Sequence, residues 1–277
     1  MSTLPLHDGN TIPRFGIGTW RMGERTSDRN REIAALKHAI DSGVRLIDTA
    51  EMYGEGEAER VVGAALSPAD GDVFVVSKVY PHNGSFDGVQ QACERSLSRL
   101  GRDSIDLYLL HWPGSHPIDE TLDGFCALRE AGKIRYFGVS NFDIEELDAI
   151  PEAYRDEMAC NQVFYNLNHR ECEAHVQPWG DRHGVHTMAY SPLDQGGGLL
   201  NNRSLIDLGE RYSASPAQLA LAWLLSNRNT IVIPKSKEIS RINENLHACQ
   251  LTLSADDLQL LDQVFPQPPP HTRLDMR

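Results

Sequence analysis

Four titratable residues in the first half of the chain have types and positions that suit general acid–base chemistry. Asp48 and Tyr53 follow the apolar residues Leu-Ile, Lys78 ends the run VFVVSK, and His111 follows IDLYLL. Desolvating an unpaired ammonium is costly, so Lys78 needs an anionic partner, which Asp48 can provide. A cation beside Tyr53 favours its phenolate, so we expect a tyrosine pKa lowered from about 10 and a phenol that donates protons. A neutral His111 would orient the same substrate oxygen.

Each of these four residues also has an ordinary structural explanation. An aspartate after a strand is commonly a helix cap or turn former, a tyrosine is commonly an aromatic lid, and a lysine at a strand end is usually solvated. For any single residue that explanation is favoured. The case for a catalytic site therefore depends on whether the fold brings all four side chains together.

Short apolar runs rich in β-formers alternate along the chain with longer segments of helical period, which indicates βα units around a parallel sheet. Eight strands are predicted, at Phe15–Gly18, Arg45–Ile47, Val73–Ser77, Ile105–Leu110, Tyr136–Val139, Ala159–Val163, His186–Ala189 and Thr230–Ile233. Eight such units in about 220 residues match an α/β fold of the (β/α)8 TIM-barrel type. The segment LPLHDGNTIP predicts an N-terminal β-hairpin around Asp8-Gly9, and a short proline-rich C-terminal tail follows the barrel. We expect residues 1–277 to form a single domain.

A doubly wound nucleotide-binding fold is the alternative architecture. Gly16-Ile17-Gly18 resembles the start of its glycine fingerprint, but the chain continues Thr-Trp-Arg, so the third glycine is missing. Helix signals agree with the barrel. One helix near Asp87–Leu100 is predicted to open on a capping box of Asp87 and Gln90 and to end at Gly101. Another opens at Ser215, with proline next and Gln218 three residues on.

Every predicted strand ends in polar or aromatic residues. In chain order they are Thr19 and Trp20; Asp48; Lys78; His111 and Trp112; Ser140 and Asn141; Gln162; Tyr190 and Ser191; and Lys235 and Ser236. Barrels of this type carry their active sites on the loops at the C-terminal ends of the strands. The second, third and fourth strands would therefore bring Asp48, Lys78 and His111 to one face, with Tyr53 just beyond.

The bulk properties exclude several classes of protein. The chain has 26 Lys and Arg against 39 Asp and Glu, a net charge of -13, which argues against nucleic-acid and membrane-surface partners. No signal peptide or membrane-spanning run is present, and the five scattered cysteines suit free thiols in a reducing cytosol. We therefore expect a cytoplasmic protein. His183 and His186 form an H-x-x-H pattern without a third ligand nearby, so no metal site is predicted.

Seven motifs together resemble the aldo-keto reductase family over nearly the whole chain. They are LIDTAEMYG, VVSKVY, LYLLHWP, GKIRYFGVSNF, NQVFYN, AYSPL and IPKS...RINEN, in the family order. The resemblance implies an NADPH-dependent carbonyl reductase whose catalytic tetrad is Asp48, Tyr53, Lys78 and His111. Since His111 replaces the glutamate of the family's steroid double-bond reductases, carbonyl reduction is the implied reaction. The family also implies a monomer.

The resemblance assigns further residues to the cofactor NADPH/NADP+. Ser140, Asn141 and Gln162 would hydrogen-bond the carboxamide, and Tyr190 would stack on the nicotinamide. Ser191 and Leu193 would lie along the pyrophosphate, and Thr19 and Trp20 would complete the contacts at the first strand. The 2'-phosphate would be held by Lys235, Ser236 and Arg241, and the positive charge of the lysine and arginine also suits a phosphate. The adenine would be held by Glu244 and Asn245. A solvated basic turn is the alternative explanation of Lys235 and Arg241, and the matching motif disfavours it. NADPH is therefore expected to be preferred over NADH.

The substrate pocket is predicted to be walled by Trp20, Tyr53, His111 and Trp112. The loops after His111 and after the seventh strand are short, which leaves few contacts for a large steroid. AEMYGEGEAERVVG, ACERSLSRL and the terminal LDQVFP...LDM most resemble a bacterial branch that includes methylglyoxal reductases. Small 2-oxoaldehydes and aromatic aldehydes are thus the expected small-molecule substrates. The alternative is an NADPH-binding regulatory or sensor subunit with incidental turnover.

Overall fold

The computed structural model describes residues 1–66 and 73–276, and this part of the chain forms ten strands and eleven α-helices. The strands are β1 Thr3–Pro5, β2 Thr11–Pro13, β3 Ile17–Gly18, β4 Leu46–Asp48, β5 Phe74–Val79, β6 Ile105–Leu110, β7 Ile134–Ser140, β8 Cys160–Phe164, β9 His186–Tyr190 and β10 Thr230–Val232. The helices are α1 Arg29–Asp41, α2 Glu57–Ala65, α3 Phe86–Leu100, α4 Ile118–Glu130, α5 Ile144–Ala149, α6 Glu152–Arg155, α7 Val176–His183, α8 Arg203–Tyr212, α9 Pro216–Ser226, α10 Ile239–His247 and α11 Ala255–Val264. None of these helices has both the length and the apolar character needed to cross a bilayer.

Strands β3 to β10 form one parallel sheet in chain order. Parallel bridges from Phe15 to Val232 and from Gly18 to Lys235 join the first strand to the last. Backbone hydrogen bonds support this closing seam, among them Gly18 N to Pro234 O at 3.1 Å. The predicted (β/α)8 barrel is confirmed.

The N-terminal hairpin closes the lower end of the barrel. β1 and β2 pair antiparallel around the turn at Asp8-Gly9, as predicted. Leu4, Leu6 and Ile12 are buried in the same apolar cluster as the inward side chains of the barrel strands. The turn is tied down by Tyr136, whose hydroxyl donates to Asp8 at 2.8 Å. The opposite, C-terminal end of the barrel is therefore the one left for chemistry.

A second and larger apolar cluster lies between the barrel and its helices. Gly138 in β7 shows how closely the strands pack inside the barrel, because a Cβ there would lie 2.3 Å from the carbonyl oxygen of Cys160. Only glycine fits at such an approach. The core thus fixes the strand register, and with it the position of each side chain at the strand ends.

Most predicted strand boundaries are displaced at the C-terminal end. β5 extends through Lys78 to Val79, where the prediction ended at Ser77, and β7 covers Ile134–Ser140 rather than Tyr136–Val139. The parallel ladder continues through the polar residues that ended the apolar runs, because backbone groups pair whatever the side chain is. Five of the predicted site residues are therefore held by the sheet itself, namely Asp48, Lys78, Ser140, Gln162 and Tyr190.

The helix signals were mostly correct. Ser215 and Gln218 form the predicted capping box of α9, and Gly101 ends α3 in the left-handed region. The predicted start of α3 was wrong, since its N-cap is Ser85, whose side chain accepts from Gly88 N. Gln90 instead donates to the carbonyl of Phe86. The competing serine two residues earlier made the better cap.

Candidate active site

The four predicted tetrad residues come together at the C-terminal end of the barrel. Asp48 is the last residue of β4, Lys78 lies in β5, and His111 directly follows β6. Tyr53 opens a tight turn through Gly54, Glu55 and Gly56 that keeps positive φ angles of 56°, 54° and 90°. Two of these three residues are glycines, which adopt such angles without strain, and the turn leaves the Tyr53 hydroxyl 3.2 Å from Lys78 Nζ.

Lys78 is the centre of the cluster and is completely buried. Its ammonium Nζ lies 2.8 and 2.9 Å from the two carboxylate oxygens of Asp48, 2.9 Å from the Thr49 carbonyl and 3.2 Å from the Tyr53 hydroxyl. Each N–H of the ammonium therefore has an acceptor. Such complete pairing is what makes a buried charge tolerable.

The pKa values of the lysine and the tyrosine follow from this packing. Burial lowers the pKa of Lys78, but the Asp48 carboxylate and the Tyr53 hydroxyl outweigh it and leave that pKa raised. For Tyr53, burial dominates and raises its pKa above the ordinary 10.0, with Asp48 adding to the increase and Lys78 offsetting only part of it. The expectation of a lowered tyrosine pKa was wrong, because it left out the desolvation of the phenol.

His111 is buried beside Tyr53, with ring centroids 5.8 Å apart at an angle of 74°. Burial, with a smaller effect of Lys78, holds the pKa of His111 well below the ordinary 6.5, so the imidazole is neutral. Its Nδ1 has no hydrogen-bond partner among the described residues. A neutral imidazole in this position can hydrogen-bond a carbonyl oxygen next to the phenol.

A second layer of polar side chains links the next strands to the tetrad. Gln162 in β8 donates from its amide to Asp48 at 2.8 Å, and Ser140 at the end of β7 donates to the Gln162 carbonyl at 2.8 Å. Asn141, at a positive φ of 60°, donates to the His111 carbonyl at 3.0 Å and accepts from the Tyr190 hydroxyl at 3.0 Å. The predicted carboxamide contacts thus also orient the catalytic groups.

A cavity of about 710 Å³ opens at this end of the barrel. It is lined by most of the predicted site residues, namely Trp20, Asp48, Tyr53, His111, Ser140, Asn141, Gln162, Tyr190, Ser191, Leu193, Lys235, Ser236, Arg241, Glu244 and Asn245. Three predicted residues do not line it. Lys78 lies beneath its floor, and Thr19 is buried, with its hydroxyl 3.0 Å from the Asp48 carbonyl. Trp112 packs against His111, with ring centroids 4.9 Å apart, and its place in the substrate pocket stays a prediction.

One end of the cavity is positively charged. Lys235 and Arg241 make no ion pair within the described residues, and burial and neighbouring Lys237 lower the pKa of Lys235. Ser236 forms a local turn by accepting from Glu238 N at 3.0 Å. Two unpaired cations beside a helix start suit a phosphate group.

The neighbouring side chains are fixed from outside the cavity. The Ser215 hydroxyl donates to the Glu244 carboxylate at 2.5 Å, and Gln218 donates to the Glu244 carbonyl at 2.9 Å. Asn245 is buried. The helix cap of α9 therefore positions the residue predicted to hold adenine.

Several cavity residues were missed by sequence reasoning. Arg21 has its guanidinium 4.2 Å from the Trp20 ring centroid, and Lys237 and Glu238 continue the basic turn after Ser236. Met52 precedes Tyr53 in the chain. Arg21, Lys237 and Met52 each adjoin a predicted residue in the chain, and Glu238 is two positions from Ser236, so proximity in sequence was the available signal. No group of three metal-ligating side chains occurs within residues 1–66 and 73–276. His183 hydrogen-bonds the Asp156 carboxylate, and His186 hydrogen-bonds the Pro5 carbonyl.

Comparison with known proteins identifies the class of enzyme to which this barrel belongs. The chain is a member of the aldo/keto reductase family, whose profile matches residues 14–265. Methylglyoxal reductase YeaE of Escherichia coli strain K12 is 43% identical over 273 residues, covering 96% of this chain and 95% of that protein. Glyoxal reductase of Bacillus subtilis strain 168 is 33% identical, covering 94% and 91%.

Solved structures agree with this family. An aldo-keto reductase from Klebsiella pneumoniae in complex with NADPH is 40% identical, covers 100% of both chains and superposes with a TM-score of 0.95. A second Klebsiella pneumoniae structure, with NADP and acetate, is also 40% identical, covers 99% of both chains and has a TM-score of 0.96. The arrangement of the barrel and its loops is thus shared over the full length.

Proposed function

We propose that this chain reduces aldehydes and ketones to alcohols with NADPH, and that its substrates are small 2-oxoaldehydes such as methylglyoxal and aromatic aldehydes. The observation that carries the proposal is the buried contact between Lys78 and the Tyr53 hydroxyl at the cavity floor. The enzyme is an NADP-dependent oxidoreductase of the aldo/keto reductase family. It is also expected to be monomeric and cytoplasmic.

The residues of the cavity fit the cofactor. Lys235 and Arg241 at one end supply unpaired positive charge for a phosphate, while Gln162, after donating to Asp48, keeps its amide oxygen as an acceptor. Amide and hydroxyl groups near the tetrad suit a carboxamide, and Tyr190 offers a half-buried ring. Bound NADPH supplies the hydride for the reaction. The 2'-phosphate that distinguishes it from NADH would lie at the cationic end, so NADPH is the preferred form.

The chain's own residues then manage the proton. Because its pKa is raised, Tyr53 holds its proton at neutral pH and can donate it to the oxygen of the substrate as negative charge develops there. The tyrosinate left behind lies 3.2 Å from the Lys78 ammonium, which stabilises charge that appears only during the reaction. The neutral His111 orients the substrate oxygen.

The substrate class is proposed from the shape of the site and from the relatives. Trp20 and Met52 line the cavity beside the tetrad, and the loops after β6 and β9 are short. A small carbonyl compound can be enclosed by these walls, whereas a steroid would extend beyond them. Two relatives are named as methylglyoxal and glyoxal reductases, which supports 2-oxoaldehydes as the first substrates.

The test is an NADPH-oxidation assay over a carbonyl panel that includes methylglyoxal and a nitrobenzaldehyde. Tyr53→Phe should lower kcat by roughly 10² to 10⁴, the usual contribution of a general acid, because the proton donor is lost. NADPH binding, followed by fluorescence, should stay within about twofold of the wild type. A near-normal kcat in the variant would refute the role of Tyr53. If the wild type binds NADPH but oxidises it with none of the carbonyl compounds, the regulatory-subunit alternative would be favoured.

A further inference from the structure

Two ion pairs connect the start of α1 to the loop after β10. The Lys237 ammonium lies 2.7 Å from the Asp28 carboxylate, and Nη2 of Arg31 contacts both carboxylate oxygens of Glu238. Asp28 and Arg31 are one helical turn apart, and Lys237 and Glu238 are adjacent in the chain. We call these four residues the clasp. It joins the first βα loop of the barrel to the last.

The inner half of the clasp belongs to the phosphate end of the cavity. Lys237 and Glu238 line the cavity next to Lys235, Ser236 and Arg241, whereas Asp28 and Arg31 do not line it. One cation and one carboxylate therefore face the place proposed for the 2'-phosphate, and each is neutralised by a partner outside. Unbalancing either pair changes the charge that a phosphate would meet.

The two outer residues have opposite expected effects. A carboxylate without a counterion beside a phosphate is repulsive, so Arg31 favours phosphate binding by neutralising Glu238. A lysine that already pairs with an aspartate is less available, so Asp28 competes with the phosphate for Lys237. Both pairs are partly exposed, with side-chain exposures of 54% and 38% for Arg31 and Glu238 and 31% and 23% for Lys237 and Asp28. Their effects should therefore be modest and sensitive to salt.

We propose that Asp28 and Arg31, although outside the cavity, tune the preference for NADPH over NADH in opposite directions through Lys237 and Glu238. The inference rests on the proposed function, because it assumes that the 2'-phosphate of the cofactor lies at the cationic end of the cavity. The chemical class discriminated is the phosphate monoester. NADH lacks this group, so its dissociation constant is expected to change little when either residue is substituted.

Dissociation constants of NADPH and NADH, measured by fluorescence titration of the intact enzyme, test the proposal. Arg31→Ala should raise the NADPH constant and Asp28→Asn should lower it, each by roughly two- to fivefold, the range of exposed ion pairs. The NADH constants should change by less than about 1.5-fold. Arg31→Lys should restore the wild-type value, and all shifts should shrink as the salt concentration rises.

Two comparisons separate this role from a general effect of surface charge. Lys133 and Glu94 form an exposed pair at 3.2 Å outside the cavity, so Lys133→Ala and Glu94→Gln repeat the same charge changes and should leave both constants unchanged. Glu238→Gln should tighten NADPH binding and reduce the effect of Arg31→Ala.

Shifts of Arg31→Ala and Asp28→Asn in the same direction, or equal shifts for NADPH and NADH, would overturn the proposal and make the clasp purely structural. Because binding rather than turnover is read, a failure here is distinguishable from a failure of the proposed reaction, which only the carbonyl panel tests.

Discussion

Lys78 carries its charge in a place with no access to solvent, and its partners determine how the site works. The ammonium donates hydrogen bonds to the Asp48 carboxylate, the Thr49 carbonyl and the Tyr53 hydroxyl at the same time. Because Asp48 already balances the charge, the phenol beside the lysine is not forced to ionise, and burial keeps its pKa raised. In the proposed reaction the lysine therefore acts late, when the tyrosine has given up its proton, rather than by preparing a phenolate beforehand.

The pH dependence of the reaction follows from these two pKa shifts. Reduction needs a protonated Tyr53, which is present below its raised pKa, and a neutral His111, which is present above its lowered pKa. Between about pH 6 and about pH 9, kcat for reduction should thus change by less than about twofold. Initial rates at saturating NADPH and substrate measure this, with cofactor binding followed at each pH as the control. A midpoint near neutral pH would contradict the assignment.

At the residue scale, the sequence predicted where the catalytic groups lie but not how they ionise. Asp48, Lys78 and His111 could be grouped because each lies at or next to the C-terminal end of a strand in a parallel barrel. The direction of the Tyr53 pKa shift depends on how completely the turn through Gly54 and Gly56 buries the phenol, and no sequence pattern measures that. The clasp partners Asp28 and Arg31 were missed for a similar reason, since they contact residues that are 209 and 207 positions away in the chain and become neighbours only when the barrel closes.

Residues at the ends of helices and strands, rather than in their middles, position the side chains of the site. In the capping box that starts α9, the Ser215 hydroxyl makes two hydrogen bonds. It accepts from the backbone amide of Gln218 and donates to the Glu244 carboxylate on α10. A local signal that begins one helix therefore also fixes a side chain of the next helix at the cavity. The Ser215 hydroxyl thus both stabilises the start of α9 and positions a side chain that is predicted to contact the cofactor.

Ser215→Ala should lower the free energy of unfolding by about 1 kcal/mol, the usual value of an N-cap, and should also weaken NADPH binding. Chemical denaturation and fluorescence titration measure the two effects. Ser85→Ala is the matched control, because Ser85 also caps its helix by accepting from the third backbone amide, whereas only Ser215 hydrogen-bonds a residue that lines the cavity. It should cost similar stability and leave NADPH binding unchanged. Equal binding by both variants would show that Glu244 needs no help from Ser215.

Two helix boundaries were predicted correctly from local signals, whereas the start of α3 was not, because Ser85 offered a competing cap. Gly101 and the Ser215 box were correct because caps depend on a few neighbouring residues. The ends of β5 and β7 were not, since a parallel ladder extends as far as its neighbours allow, beyond the apolar run. Pairing partners are a tertiary property, and a single strand's composition does not contain them.

On the scale of the whole molecule, the cavity crosses the seam that closes the barrel. Gly18 on one side and Ile233, Pro234 and Lys235 on the other all line it. The seam is shorter than the β6–β7 ladder, with Gly18 N to Pro234 O as one of its few bonds. Weakly paired parts of a structure open more readily than the core, so a ligand that contacts both sides should hold the seam together.

Hydrogen exchange should reveal this effect. At about 100 times its Kd, NADPH should slow exchange of the Gly18 and Val232 amides by up to about 100-fold, which corresponds to about 2.7 kcal/mol. The amides of the β6–β7 ladder, such as Tyr108 and Phe137, should change far less. Uniform protection around the barrel, or protection confined to helices, would contradict the idea that the cofactor stabilises the seam.

The seam also has a consequence for how the protein is made. Gly18 leaves the ribosome early, but its partner Pro234 and the cationic residues up to Asn245 are among the last parts of the site to be synthesised. A nascent chain can form βα units as they emerge, yet it cannot complete the barrel or the nucleotide cavity before those residues appear. Until then Lys78 lies in an open sheet, and binding of NADPH can stabilise the fold only at the final stage of synthesis.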